Sequence, residues 1–132
     1  MKLTRTTKRA SGMTLLELTV VILVLLSLIS ILFIGARAWK KGSDRAGCIL
    51  NIRNVQQAVR SYGNMYNATT VPAGELLGTG KFLESPPVCP GTGAYTPADL
   101  SAAIGVPAVS VLAMTCGLAA TENHVPSSIA GW

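Results

Sequence analysis

Charge is scarce in this chain. Only 13% of its 132 residues are Asp, Glu, Lys or Arg, against 49% hydrophobic, and histidine occurs once, at position 124. Each scarcity excludes something. Asp44, Glu75, Glu84, Asp99 and Glu122 are scattered, so no two carboxylates share an evident face for general acid–base work. A lone loop histidine carries no catalytic signal. No acid-rich loop of the calcium-binding kind is present. No CxxC pair or clustered histidine accompanies the thiols, which argues against a metal site. Gly78, Gly80 and Lys81 hint at a phosphate-binding loop. The spacing fails, because Gly74 to Gly80 is one residue too long and Phe82 stands where Ser or Thr is required. The expectation is a protein that is not an enzyme, with no cofactor and no metal.

What charge there is sits in two basic clusters. The net +5 suggests nucleic acid or anionic lipid, but Lys2, Arg5, Lys8 and Arg9 put +4 into the first twelve residues, without an acid. The remainder has seven Lys/Arg against six Asp/Glu, which leaves +1. Arg37, Lys40, Lys41 and Arg45 form the second cluster, just after an apolar run, where basic side chains anchor a helix at a membrane interface. Aromatics make up 5% of the chain and do not interleave with either cluster, which argues against a nucleic-acid surface.

The apolar run is Met13–Ile34, MTLLELTVVILVLLSLISILFI. Roughly 22 residues make a helix about 33 Å long, enough to cross a bilayer. A secretory signal peptide competes, and Ala36-Arg37-Ala38 offers a small-x-small site. Its apolar core should span about 7–15 residues, so this run is too long. Four Lys/Arg flank each side, so the positive-inside rule does not set the orientation. Glu17 lies inside the run. An acid costs about 2.5–3.5 kcal/mol at the centre of a membrane helix and less near the interface. Either it reaches back to the headgroups or it pairs with a cation on a neighbouring chain.

Ser11-Gly12-Met13-Thr14-Leu15-Leu16-Glu17, after a basic leader and before an unbroken apolar run, resembles the processing site of type IV pilins and of type II secretion pseudopilins. The resemblance implies cleavage between Gly12 and Met13 by a prepilin peptidase, N-methylation of Met13, and Glu17 as the fifth mature residue, acting in assembly. Met13 replaces the commoner phenylalanine, and the run lacks the central proline of many major pilins. Glu17 then has a physical role. The amine freed at Met13 can approach Glu17 of the adjacent subunit, and pairing lets both groups stay buried. Three segments follow: a leader over 1–12, a transmembrane and assembly helix over 13–34, and a head over 35–132.

Beyond Ile34 the helix is expected to continue. Ile49, Ile52, Val55, Val59, Tyr62 and Tyr66 make one apolar stripe, with Arg53, Asn54, Gln57, Arg60 and Ser61 on the remaining face. Gly35, Gly42 and Gly47 permit a bend or local melting between membrane segment and stripe. The helix should end near Asn67. Next comes a short helix or turn burying Leu76, Leu77, Phe82 and Leu83. Thr96-Pro97-Ala98-Asp99 has the form of a helix start, with a helix to about Ile104. Ala108–Cys116 reads as a strand. The fold class is α+β and pilin-like: a long N-terminal helix, its first half in the membrane, packed against a small antiparallel sheet.

There are three cysteines. In an oxidising compartment one disulfide is expected, and Cys89 with Cys116 is the favoured pair. It closes a loop of roughly 28 residues, for about 3 kcal/mol from chain entropy. Cys48 then packs as a small hydrophobe; a Cys48 bridge to either of the others is the alternative. The second half resembles one branch of pseudopilin-like proteins through Cys48, Asn51, Arg53, Gln56, Cys89, Pro90, Gly91, Gly93, Tyr95, Cys116 and His124, with Pro97–Val109 as an insertion. The family resemblance implies a structural subunit of a pilus or pseudopilus, or alternatively a minor pilin-like binding module for adhesion or DNA uptake. It implies as partners self or other pilins in a helical filament, the prepilin peptidase, an inner-membrane assembly platform with its ATPase, and membrane lipid before assembly. It implies a single pass of a bacterial inner membrane, with the N-terminus cytoplasmic and the head periplasmic or extracellular.

Overall fold

The computed structural model describes Gly12 and residues 14–132. Residues 1–11 of the expected leader and Met13, to which cleavage and methylation are assigned, lie outside the described residues. The chain divides into two compact units, Met1–Ala38 and Trp39–Trp132. The element order is α1 (Leu15–Tyr66), β1 (Thr70–Val71), β2 (Tyr95–Thr96), β3 (Ile104–Gly105) and β4 (Thr115–Cys116). The architecture is α+β, with one long apolar N-terminal helix and two small antiparallel sheets.

The start of α1 is capped by a side chain next to it in sequence. Thr14 stands at the N-cap, and its Oγ1 accepts the amide of Glu17, 3.3 Å away. Thr14-Leu15-Leu16-Glu17 has the S/T-x-x-E form of a capping box, and an acid in the first turn complements the helix dipole. From Leu15 to Ile34 the side chains are exposed. The helix is long and apolar enough to cross a membrane. The hydroxyls in this stretch are consumed locally. Thr19 donates to Leu16 O (2.8 Å), Ser27 to Val24 O (2.7 Å) and Ser30 to Leu26 O (2.8 Å). A hydroxyl bonded back to its own helix can enter lipid without an unpaired polar group.

The helix runs without interruption through Gly35, Gly42 and Gly47, so the expected local melting does not occur. Gly47 has a different use. A Cβ there would lie 3.0 Å from the Pro90 ring, so its absence lets the helix approach the Pro90 loop. The C-terminus follows the reading at Asn67. Asn67 adopts a left-handed φ of 48°, and Ala68 N–H bonds back to Gly63 O at 3.0 Å, the long-range bond of a Schellman stop.

The core gathers Cys48, Ile52, Val55, Ala58, Val59 and Tyr62 of α1 with Val71, Leu76, Cys89, Leu100, Ile104, Met114 and Cys116. Ile52, Val55, Val59 and Tyr62 take the buried positions expected of the stripe. Its two ends do not: Ile49 is half-buried and Tyr66 is 60% exposed. Of the expected apolar group after the helix, Leu76 is buried, while Leu77, Phe82 and Leu83 are half-buried. They form a turn, closed by Gly78 N–H to Leu83 O (2.8 Å) and Leu83 N–H to Leu76 O (2.9 Å).

The strands are two residues each and form two separate ladders. β1 pairs with β3, with Val71 opposite Ile104, and β2 pairs with β4, with Tyr95 opposite Cys116. Two sequence expectations fail here, each for a local reason. No helix follows Pro97. Asp99 instead accepts Ser101 N–H (2.8 Å) and the Ser101 hydroxyl, an Asx turn that competes with helix formation. Ala108–Cys116 forms a strand only at its last two residues. Its earlier backbone is held by side chains of α1: Arg60 donates to Ala108 O (3.0 Å), and Gln56 donates to Val111 O (2.9 Å) while accepting from Ala113 N–H (2.7 Å). Ser110, at φ 65°, breaks the extended path between them.

Candidate functional site

The densest chemistry among the described residues is in the second unit. Cys48, Cys89, Cys116 and His124 present one ligand atom each, all four atoms within 4.8 Å of one another, and all four side chains are buried. Each reaches this point from a different part of the chain. Cys48 is the first buried residue of α1. Cys89 opens a turn, closed by Thr92 N–H to Cys89 O at 3.0 Å, in which Pro90 pre-sets the backbone. Cys116 is fixed by the β2–β4 ladder. His124 returns on a tight loop, in which Ala119 N–H bonds Cys116 O (3.0 Å) and Glu122 N–H bonds Leu118 O (3.0 Å); Asn123 turns the chain with a φ of 58°.

Sulfur–sulfur and sulfur–nitrogen distances are short. Cys116 Sγ lies 3.8 Å from Cys89 Sγ, and His124 Nδ1 lies 3.5 Å from Cys89 Sγ and 4.0 Å from Cys116 Sγ. All three cysteines are free thiols. The favoured disulfide partners are therefore neighbours, but they share their position with a third thiol and an imidazole.

Two glycines let the backbone come this close. A Cβ on Gly91 would sit 2.8 Å from His124 Cε1, and one on Gly93 would sit 2.8 Å from Cys116 Sγ and 2.9 Å from Leu118 Cγ. Asn51 clamps the loop from α1, donating to Val88 O (2.9 Å) and to the Tyr95 hydroxyl (3.1 Å).

The surrounding groups treat the thiols unequally. Burial pushes the Cys48 thiol up to about 12, against the opposing pull of the Tyr95 hydroxyl. Burial also raises Cys89, but the Gly93 amide, the Cys48 thiol, His124 and the Gly91 amide together outweigh it and hold Cys89 down at about 7. Cys89 therefore gives up its proton well before Cys48. Burial likewise raises the Tyr95 phenol. The imidazole faces the sulfurs with Nδ1. Its Nε2 is buried without a hydrogen bond and lies 3.6 Å from Glu122 Oε2. Glu122 in turn stands 3.9 Å from Lys41 Nζ.

Sequence spacing does not reveal this cluster, because the ligand atoms come from positions far apart in the chain. The only sequence signal is the resemblance that groups Cys48, Cys89, Cys116 and His124 in one pattern.

The assembly residue of the sequence reading, Glu17, lies in the first unit at the third helical position of α1. Among the described residues, no cation stands within ion-pair distance of it. Gly12 precedes the helix. Lys81, from the rejected phosphate loop, pairs with Glu75 at 2.8 Å. Comparison with protein-family models, with curated proteins and with solved structures finds no match for the chain.

Proposed function

We propose that this protein is a structural subunit of a type IV pilus or type II secretion pseudopilus, assembling through the apolar half of α1 after cleavage between Gly12 and Met13. The observation that carries the reading is the state of Leu15–Ile34. This stretch exposes its apolar side chains, bonds its hydroxyls to its own carbonyls, and keeps one ionisable group, Glu17, a single turn from the proposed new N-terminus. A plain membrane anchor has no use for a lone acid there. A subunit that stacks against copies of itself does, because the acid can meet the amine of the next chain and fix the register of the stack. The wide apolar surface supplies the bulk of the assembly energy by helix packing.

Overproduction in a host with a type IV assembly machine tests this. A structural subunit is recovered in filaments sheared from the cells. Recovery only in the membrane, with filaments formed by another subunit, rejects the structural role in favour of a minor pilin-like module.

A further inference from the structure

We propose that Cys48, Cys89, Cys116 and His124 bind one zinc ion in a tetrahedral Cys3His site that fastens α1 to the loops of the head. This goes beyond filament assembly and does not depend on it.

The distances suit the ion. Zinc holds thiolate at about 2.3 Å and imidazole at about 2.1 Å, and a tetrahedron of those bonds sets S···S at about 3.8 Å and S···N at about 3.6 Å. The corresponding separations here are 3.8 Å between Cys89 and Cys116, and 3.5 and 4.0 Å from His124 Nδ1 to the two sulfurs. No separation within the group exceeds 4.8 Å, about 1 Å beyond a tetrahedral edge and within reach of a side-chain rotation. A disulfide uses two sulfurs about 2.05 Å apart and leaves the third thiol and the imidazole without a use.

The surroundings support the ligands in turn. Gly91 and Gly93 let the loop pass this close to the cluster, since a Cβ would lie 2.8 Å from His124 Cε1 at the first and 2.8 Å from Cys116 Sγ at the second, and Asn51 holds the same loop from α1 through Val88 O and the Tyr95 hydroxyl. On the imidazole, Nδ1 faces the sulfurs and Nε2 faces the Glu122 carboxylate. A ligating histidine ordinarily gives its second N–H to a carboxylate, which fixes the tautomer and raises the basicity of the metal-bound nitrogen. The buried Nε2, 3.6 Å from Glu122 Oε2, is a small side-chain shift away from that bond. Three soft thiolates and one imidazole select zinc over the hard cations. With four protein ligands the site is closed, so the role is structural rather than catalytic.

The need is evident from the architecture. Among the described residues the four strands are only two residues each, and long loops join them. A metal that binds only the folded arrangement adds its binding free energy to folding, which helps where regular structure is this limited. The four ligands lie on the helix, two loops and a strand, so one ion ties together elements that the short ladders hold weakly.

The test uses the full chain extracted in detergent under anaerobic, reducing conditions. Elemental analysis should find one zinc per chain. After removal of zinc, added Co2+ should give a one-equivalent titration with sulfur-to-cobalt charge-transfer bands and the intense ligand-field bands of a tetrahedral site. Cys116→Ser should abolish the stoichiometric binding. Glu122→Gln should keep the tetrahedral spectrum and weaken zinc binding by about 10–100-fold. Where Cys116→Ser fails to fold, the spectrum of the unaltered chain decides. Three results would overturn the proposal: no stoichiometric zinc, a cobalt spectrum without thiolate bands, or zinc retained at one equivalent in Cys116→Ser. So would a chain isolated from its own membranes without reductant that is two hydrogens lighter, carries a Cys89–Cys116 disulfide and contains no metal.

Discussion

Replacing Glu17 by Gln separates two roles that fall on one residue. Glu17 is the third helical position after the Thr14 cap, and its amide bonds Thr14 Oγ1 at 3.3 Å. Glutamine serves at this position of a capping box almost as well as glutamate. The helix start loses only the charge–dipole contribution, about 0.3–1 kcal/mol. The proposed pairing with the Met13 amine of an adjacent subunit loses far more. Removing one partner of a buried pair and leaving the other charged costs about 3–5 kcal/mol. At about 1.4 kcal/mol per tenfold, subunit association falls by roughly two to three and a half orders of magnitude. The assay compares the protein recovered in sheared filaments with the protein inserted in the membrane. Glu17→Gln should insert at the normal level and leave the filament fraction nearly empty. Thr14→Ala, which removes the cap and leaves the charge, costs about 1 kcal/mol and should still assemble in quantity. If Glu17→Gln assembles normally while Thr14→Ala fails, Glu17 is a capping residue and its role in setting the register is refuted.

Gln56 is 2% exposed and supplies both partners for Val111 O and Ala113 N–H, so Gln56→Leu strands two backbone groups. At about 1–3 kcal/mol for each group, the detergent-solubilised chain should lose about 2–6 kcal/mol, lowering its Tm by roughly 10 °C or more in near-UV circular dichroism; an unchanged Tm refutes the role given to Gln56. Gly93→Ala forces a methyl to within 2.8 Å of Cys116 Sγ, which the β2–β4 ladder holds in place. Overpacking of this kind costs about 1–3 kcal/mol, visible as a lower denaturation midpoint, and a variant as stable as the parent contradicts the close approach described.

Much of α1 is legible in the sequence, because its signals are local. The apolar run and the stop at Asn67 are both set by residues close together in the chain. So is the middle of the amphipathic stripe, at Ile52, Val55, Val59 and Tyr62, where a 3.6-residue period fixes one face. The head is less legible because its structure is decided by side chains far away. Ala108–Val111 has strand composition, yet Arg60 and Gln56 of α1 capture its carbonyls. Thr96–Asp99 has the form of a helix start, yet Asp99 bonds Ser101 and closes a turn. The meeting of Cys48, Cys89, Cys116 and His124 is the extreme case. No spacing rule applies, and the glycines that permit it, Gly91 and Gly93, enter the sequence reading only through the family resemblance. Their purpose becomes clear from the atoms that a methyl group would strike.

The intact mass of the chain extracted from membranes containing a prepilin peptidase tests the central claim most directly. A processed pilin subunit gives a single species beginning at Met13 and carrying one added methyl group. An intact chain from Met1, or one beginning near Trp39 after ordinary signal-peptide cleavage, contradicts the claim.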